Sequence, residues 1–167
     1  YAHITFFLNG MTEEPFSGET REIIPSPKVA SYDKKPEMSA KAIADRVVKE
    51  VLADKYDFIA LNFANPDMVG HTGDLGATIK AAEVIDGEMG KIIDAVLAKK
   101  GAAIITADHG NAEELLNLQT GKIDKEHATN PVPCVIIGPQ FASQANPQIE
   151  ALGGDLSLTQ PVGTLSD

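Results

Sequence analysis

Short apolar segments alternate along the chain with segments of helical period, and this alternation restricts the fold more than any other feature. Residues 58–61, 102–106 and 132–137 are largely apolar without alternation, which is typical of strands covered on both faces. A helical pattern at 40–53 precedes the first of these strands, and a second at 74–99 separates it from the next. We therefore predict an α/β domain in which helices flank a layered, mostly parallel sheet.

Local signals mark the ends of these elements. Ser39 is a good N-cap for the first helix, and Gly101 is placed to end the second as the C′ residue. Residues 3–8 are β-branched and aromatic and predict one more buried strand. Residues 11–36 contain four prolines and no period, so they predict a long loop. Residues 164–167 predict the start of another element.

The composition is that of an acidic globular chain. The formal net charge is −10, which disfavours nucleic acid and anionic membranes as partners. A phosphorylated substrate stays compatible with this charge, because bound divalent cations reverse the local field. No apolar run approaches the roughly 20 residues that cross a bilayer, and no signal peptide is evident. Cys134 is the single cysteine, so no internal disulfide forms, which is consistent with a cytoplasmic location.

Carboxylate and imidazole side chains cluster at three places beside the predicted strands. Asp67 and His71 follow one strand and lie four residues apart, so they face the same way if the segment makes a helical turn. Asp108 and His109 come directly after the next strand, and His127 precedes the last. Open α/β sheets place their sites at strand ends. These five residues are therefore predicted metal ligands, and their mixture suits Mn²⁺ or Zn²⁺, or Mg²⁺ with fewer imidazoles.

Each cluster taken alone also has a structural interpretation. An Asp–His pair four residues apart is commonly a weak ion pair on the surface. Asp-His-Gly can form a helix-capping turn, and a single histidine in a loop is usually solvated. Three of the four histidines nevertheless lie in these clusters, which favours the metal interpretation. The fourth, His3, is predicted to be a core or edge residue of the first strand rather than a ligand.

Several long motifs in order resemble one enzyme family. The chain is similar to the C-terminal part of the phosphatase-like domain of cofactor-independent phosphoglycerate mutases, which belong to the alkaline phosphatase superfamily. The motifs that carry the resemblance are Thr5-Phe6-Phe7-Leu8-Asn9-Gly10, Glu13-Glu14-Pro15-Phe16, Pro25-Ser26-Pro27-Lys28-Val29-Ala30, Tyr32-Asp33, Pro36-Glu37-Met38-Ser39, Asp67-Met68-Val69-Gly70-His71-Thr72-Gly73, Thr106-Ala107-Asp108-His109-Gly110-Asn111-Ala112-Glu113 and His127-Ala128-Thr129-Asn130-Pro131-Val132-Pro133.

The resemblance implies a centre of two divalent metal ions. Asp67, His71 and His127 would hold the first ion, and Asp108 and His109 would hold the second. Mn²⁺ is the expected metal, with Mg²⁺, Co²⁺ or Zn²⁺ as alternatives. The implied reaction interconverts 3-phosphoglycerate and 2-phosphoglycerate through a phosphoserine intermediate, and the metals activate the serine and neutralise phosphoryl charge.

The resemblance also implies that the chain is incomplete. Residues 1–167 would form a single-domain fragment, the C-terminal portion of the phosphatase-like metal-binding domain, without its N-terminal strand and without the second domain that grips the substrate. The family's serine nucleophile lies upstream, and no serine of this chain replaces it. The expected partners are therefore phosphoglycerate and the remaining parts of the same protein, which would be a monomeric, cytoplasmic isomerase of glycolysis. The chain alone is predicted to be inactive.

Two alternatives keep part of this interpretation. Another phosphomutase, phosphatase or phosphodiesterase of the same superfamily would share the metal ligands, but the motifs at 13–16 and 25–30 argue against it. A non-catalytic domain that binds metal, or only assembles with a partner, would need no nucleophile at all.

Overall fold

The computed structural model describes residues 2–117 and 120–144, and the element predicted at 164–167 lies outside them. In these residues, three α-helices and one pair of strands are accompanied by short 3₁₀ and π-helical turns. The elements are α1 (Ala40–Leu52), α2 (Asn65–Gly70), α3 (Leu75–Ala98), β1 (Ala103–Thr106) and β2 (Cys134–Ile137). The two long predicted helices and the two later strands are thus confirmed, and the α/β class with them.

The main core lies between α1 and α3. Ala44 and Val47 of α1 pack with Ile92 of α3, and all three are buried. Ile59 and Leu61 pack against this cluster, although residues 58–61 form no strand. The strand predicted there was wrong because Ile59 and Leu61 are partly buried against the helices, without backbone pairing to a strand in the described residues. In the described part of the chain, no helix is long and apolar enough to cross a membrane.

The helix ends differ in detail from the sequence prediction. Ser39 stands at the N-cap of α1, but its hydroxyl donates to the Pro25 carbonyl at 2.8 Å and caps nothing. At the start of α3, Asp74 is a working cap that accepts the Ala77 N–H at 2.8 Å. At its other end, Lys100 takes the left-handed conformation with φ +58°, and Gly101 follows it. Gly101 was predicted as C′ and is instead the next residue, whose N–H donates to the Val96 carbonyl at 2.9 Å.

The strand predicted at 3–8 is absent. His3–Phe7 form a short π-helical turn, in which the Leu8 N–H donates to the His3 carbonyl at 3.0 Å. Its β-branched and aromatic composition favours a strand only when a neighbouring strand supplies hydrogen bonds. Here the backbone satisfies its polar groups locally, so the composition does not decide the structure.

The sheet is an antiparallel pair rather than the predicted, mostly parallel sheet. β1 and β2 run in opposite directions, with Ala103 opposite Ile137 and Thr106 opposite Cys134. Between them the chain returns through a loop, in whose described residues the one helical part is the 3₁₀ turn Ala112–Glu114. Parallel pairing usually requires a crossover helix. A non-alternating apolar run predicts a strand, but it contains no information about strand direction.

The strands are also more exposed than their sequences suggest. Ile104 and Ile136 lie opposite each other in the register and are 69% and 53% exposed. No described element covers this pair. An apolar run therefore identified both strands correctly, while their burial depends on neighbours that the described residues do not provide.

Replacing Lys100 by glycine should stabilise the protein. The left-handed conformation is strained for an L-residue such as lysine but not for glycine. The free energy of unfolding should therefore rise by about 0.5–1 kcal/mol. Lys99→Gly is the matched control, because Lys99 has φ −88° and should lose stability from the same change. Urea unfolding of both variants measures the difference, and equal effects in the two would contradict the assignment.

Candidate metal centre

The short helix α2 sets two of the predicted ligands on one face. The His71 N–H donates to the Asp67 carbonyl at 3.0 Å, so the two residues are separated by one helical turn. Pro66 lies in the first turn, where its missing N–H costs no hydrogen bond. The conditional prediction of a helical turn at Asp67 and His71 is therefore realised.

Three ligand atoms converge in the first group. Asp67 Oδ1 lies 3.1 Å from His71 Nε2 and 3.2 Å from His127 Nε2, and the two imidazole nitrogens are 3.2 Å apart. A small divalent ion with ligands at about 2.1 Å requires ligand atoms roughly 3–3.5 Å from one another. The triangle of Asp67, His71 and His127 matches that requirement.

Two further observations test whether these residues suit a cation. Asp67 Oδ1 is buried and accepts no hydrogen bond, despite the two imidazole nitrogens beside it. A buried carboxylate oxygen that accepts no hydrogen bond is costly, and a cation removes that cost. His71 Nδ1 donates to the Lys125 carbonyl at 2.5 Å, which leaves Nε2 as the unprotonated ligand atom. The first group therefore fits a divalent metal ion.

The second group forms around Asp108, just after β1. Asp108 Oδ2 lies 3.6 Å from His109 Nε2 and 3.1 Å from His3 Nε2. His109 Nδ1 lies 3.2 Å from the Gly110 carbonyl, which again leaves Nε2 for a ligand role. These three residues present their ligand atoms within 4.8 Å of one another.

His3 is the residue that sequence reasoning missed. It was predicted to belong to a buried strand, yet its side chain is half exposed and points to Asp108. No sequence signal identified it, because the contact depends on the π-helical turn at His3–Phe7 and on a separation of more than a hundred residues.

The two groups lie side by side. The His109 ring stacks on the His127 ring with centroids 3.7 Å apart and an interplanar angle of 18°. One histidine belongs to each group, so the stack joins them. Two groups of candidate metal ligands therefore lie next to each other.

The loops that carry the second group and His127 are joined directly. The Ala128 N–H donates to the Gly110 carbonyl at 2.8 Å. Glu113 accepts the Asn111 N–H at 2.8 Å and an amide hydrogen of Asn130 at 3.1 Å. Partial loss of hydration works against the ionised form, but these hydrogen bonds, its own backbone N–H and nearby His109 hold the pKa of the Glu113 carboxyl below its ordinary value.

Comparison with known proteins decides the family. The model of the metalloenzyme superfamily matches residues 1–162. The chain belongs to the metalloenzyme superfamily. Together with the convergence of Asp67, His71 and His127, this membership supports the binding of divalent metal.

Curated relatives of this chain are named phosphoglycerate mutases. The 2,3-bisphosphoglycerate-independent phosphoglycerate mutase of Clostridioides difficile is 57% identical over 143 residues, which are 86% of this chain and 28% of the relative. The enzyme of the same name from Chloroflexus aggregans is 53% identical over 83% of this chain and 26% of the relative. The chain thus spans about a quarter of the length of the curated relatives it matches.

A solved structure shows the same fold. Phosphoglycerate mutase of Leishmania mexicana, determined at low cobalt concentration, superposes with a TM-score of 0.76 at 35% sequence identity. The similarity covers 82% of this chain and 27% of that one. The α/β fold resembling that of phosphoglycerate mutase, which the sequence motifs predicted, is confirmed by this comparison.

Replacing one carboxylate of each group should separate the two cation sites. Asp67→Asn removes the charge at the centre of the first triangle and should weaken the first ion by more than about 100-fold, with a smaller effect on the second. Asp108→Asn should show the reverse pattern. Titration with Mn²⁺ followed by electron paramagnetic resonance gives both dissociation constants, and identical losses at both sites in both variants would contradict the division.

Acid should release the bound metal. Imidazole binds metal only when neutral and carboxylate only when ionised, so protonation competes with the cation. Metal content after dialysis should fall steeply between neutral pH and pH ~5. Metal content that stays constant over this interval would contradict the ligand assignment.

Proposed function

We propose that this chain is the C-terminal portion of the phosphatase-like domain of a 2,3-bisphosphoglycerate-independent phosphoglycerate mutase. In this proposal, residues 1–167 form a single-domain fragment, and the full-length protein interconverts 3-phosphoglycerate and 2-phosphoglycerate. The observation that carries the proposal is the convergence of Asp67, His71 and His127 beside Asp108 and His109. The high identity to curated mutases supports the choice of reaction.

Each group has a distinct part in this proposal. Asp67, His71 and His127 would hold one ion, and Asp108 and His109 would hold the other, with His3 beside them in the described structure. Bound ions would supply the positive field that a transferring phosphoryl group requires and would lower the pKa of an attacking hydroxyl. This chain would contribute only two carboxylates among its five ligands. Its own residues therefore would not neutralise two divalent cations, which favours the binding of a phosphate group.

The backbone of this chain keeps the imidazoles in the state that binds a cation. The Lys125 carbonyl holds the proton of His71 on Nδ1, and the Gly110 carbonyl faces Nδ1 of His109. Both rings therefore offer Nε2 to the site. The stack between His109 and His127 limits rotation of these rings, which keeps the two groups in a constant relative position.

We propose Mn²⁺ as the metal, with Mg²⁺, Co²⁺ or Zn²⁺ as alternatives. Three imidazoles and two carboxylates form a borderline ligand set, which suits Mn²⁺, Co²⁺ and Zn²⁺ better than the all-oxygen sites preferred by Mg²⁺. The Leishmania mexicana structure determined at low cobalt concentration supports a metal of this class.

The proposal includes partners and setting. The substrate is a small phosphorylated acid, and the serine nucleophile and substrate-binding domain come from other parts of the same protein. The acidic net charge of −10 opposes binding to nucleic acid and anionic membranes. We therefore propose that the full-length protein is a monomeric, cytoplasmic enzyme of glycolysis.

The full-length protein should convert 3-phosphoglycerate to 2-phosphoglycerate when Mn²⁺ is present. Removal of metal by a chelator should abolish turnover, and added Mn²⁺ should restore it, because both cation sites contribute to the phosphoryl transfer. Coupled assay of 2-phosphoglycerate measures the rate. A metal-loaded, folded protein that converts neither phosphoglycerate would overturn the proposal.

The 167-residue chain alone should show no mutase turnover. None of its serines matches the family's nucleophile, so no phosphoserine can form, although the first ion should still bind. The same coupled assay tests the rate, and metal analysis tests the binding. Measurable turnover by this chain would contradict the upstream position of the nucleophile.

A further inference from the structure

Asn111 is buried at the junction of the segments that carry all five predicted ligands. It lies two residues after His109 and is only 4% exposed. Its side-chain amide nitrogen donates to the carbonyl of Glu126 at 3.5 Å, and Glu126 is the residue directly before His127. Its backbone N–H donates to Glu113 at 2.8 Å, which holds the turn in place. Asn111 therefore contacts the segments of both cation groups.

The side chain of Asn111 also contacts α2, at a point between the predicted ligands Asp67 and His71. At Gly70, a Cβ atom would lie 2.0 Å from Asn111 Oδ1 and 3.1 Å from its Cγ. The amide oxygen of Asn111 thus occupies the space that the Cβ atom of any residue other than glycine would fill at position 70. Gly70 stands between Asp67 and His71, so the contact positions the helix that bears them.

The amide oxygen of Asn111 has an unusual environment for a structural residue. Oδ1 is buried and accepts no hydrogen bond. Leaving such an acceptor unpaired costs roughly 1–3 kcal/mol, and an apolar side chain at this place would avoid the cost. Buried unsatisfied groups in folded proteins require an explanation, and a role in fixing the geometry of a functional site is one.

We propose that Asn111 is a positioning residue that couples the two cation groups, and that Gly70 is the part of α2 that receives it. This inference rests on the proposed two-metal function. Asn111 touches no substrate and no metal in this view. It acts by holding α2, the turn at 108–111 and the segment before His127 in one arrangement, so that both ions keep their separation.

The test uses the full-length protein and exploits a matched set of glycines. Gly70→Ala places a Cβ where Asn111 lies, whereas Gly87→Ala and Gly90→Ala add a Cβ to α3 with no atom within 4 Å. As far as helix propensity is concerned, all three changes favour the helix. Mn²⁺ titration should show 10–100-fold weaker binding of both ions in Gly70→Ala, roughly the loss expected for a residue behind the ligands, and no change in the two controls.

A spectroscopic signature separates positioning from general destabilisation. Co²⁺ bound at both sites has visible absorption bands that depend on ligand geometry, and these bands should shift in Gly70→Ala and Asn111→Ala but not in Gly87→Ala. Thermal unfolding of the metal-free proteins shows whether each variant folds. Asn111→Ser, which leaves room for the neighbouring segments and keeps a small polar group, replaces Asn111→Ala if that variant fails to fold.

The double variant completes the test. If Gly70 acts only by receiving Asn111, then Gly70→Ala should have no further effect in the Asn111→Ala background. Additive losses, a loss confined to one ion, or a Gly70→Ala variant that behaves like Gly87→Ala would each overturn the inference. These results would leave the proposed function intact if the wild-type protein binds two ions and interconverts the phosphoglycerates. A wild-type protein that binds fewer than two ions would overturn both proposals.

Discussion

Burial of Val69 is the packing interaction on which the rest of the site depends. Val69 is fully buried and packs with Met38 and Ala81, which places α2 against the start of α3. Asp67 and His71 lie two residues before and after it, about 200° around the helix, and therefore face away from this core. One buried side chain thus sets the rotation of α2 and presents a carboxylate and an imidazole together. The conformation of a helix of only six residues would not be maintained without such an anchor.

The other three predicted ligands reach this helix through loops rather than through regular elements. Asp108 and His109 follow β1, and His127 lies in the return segment before β2. The Gly110–Ala128 hydrogen bond and the stack of His109 on His127 join these loops at the centre. Loops positioned by a rigid scaffold are where proteins commonly place catalytic groups. Helix α2 therefore presents Asp67 and His71, and loops bring the other three predicted ligands to it.

The described residues leave apolar surface that a small globular chain usually covers. Ile104 and Ile136 form an exposed pair on the sheet, and Phe58 is 79% exposed. The chain spans about a quarter of the length of its curated relatives. Both facts agree with the proposal that this chain works as one portion of a longer protein, in which further elements cover the sheet.

The sequence by itself determined the helices α1 and α3, the two later strands and the carboxylate and imidazole residues that the fold brings together. The 3.6-residue period of apolar side chains and the short apolar runs reflect local preferences, so they can be recognised in the sequence without knowledge of the fold. The proximity of Asp67 and His71 could also be predicted from the sequence, because it depends on only one helical turn. The direction of β2, the absence of a strand at 58–61 and the turn at His3–Phe7 were decided by long-range packing and pairing, which no local pattern contains. Only the tertiary structure decided that Asn111 lies on Gly70 and that His3 meets Asp108, because these contacts join segments far apart in the chain.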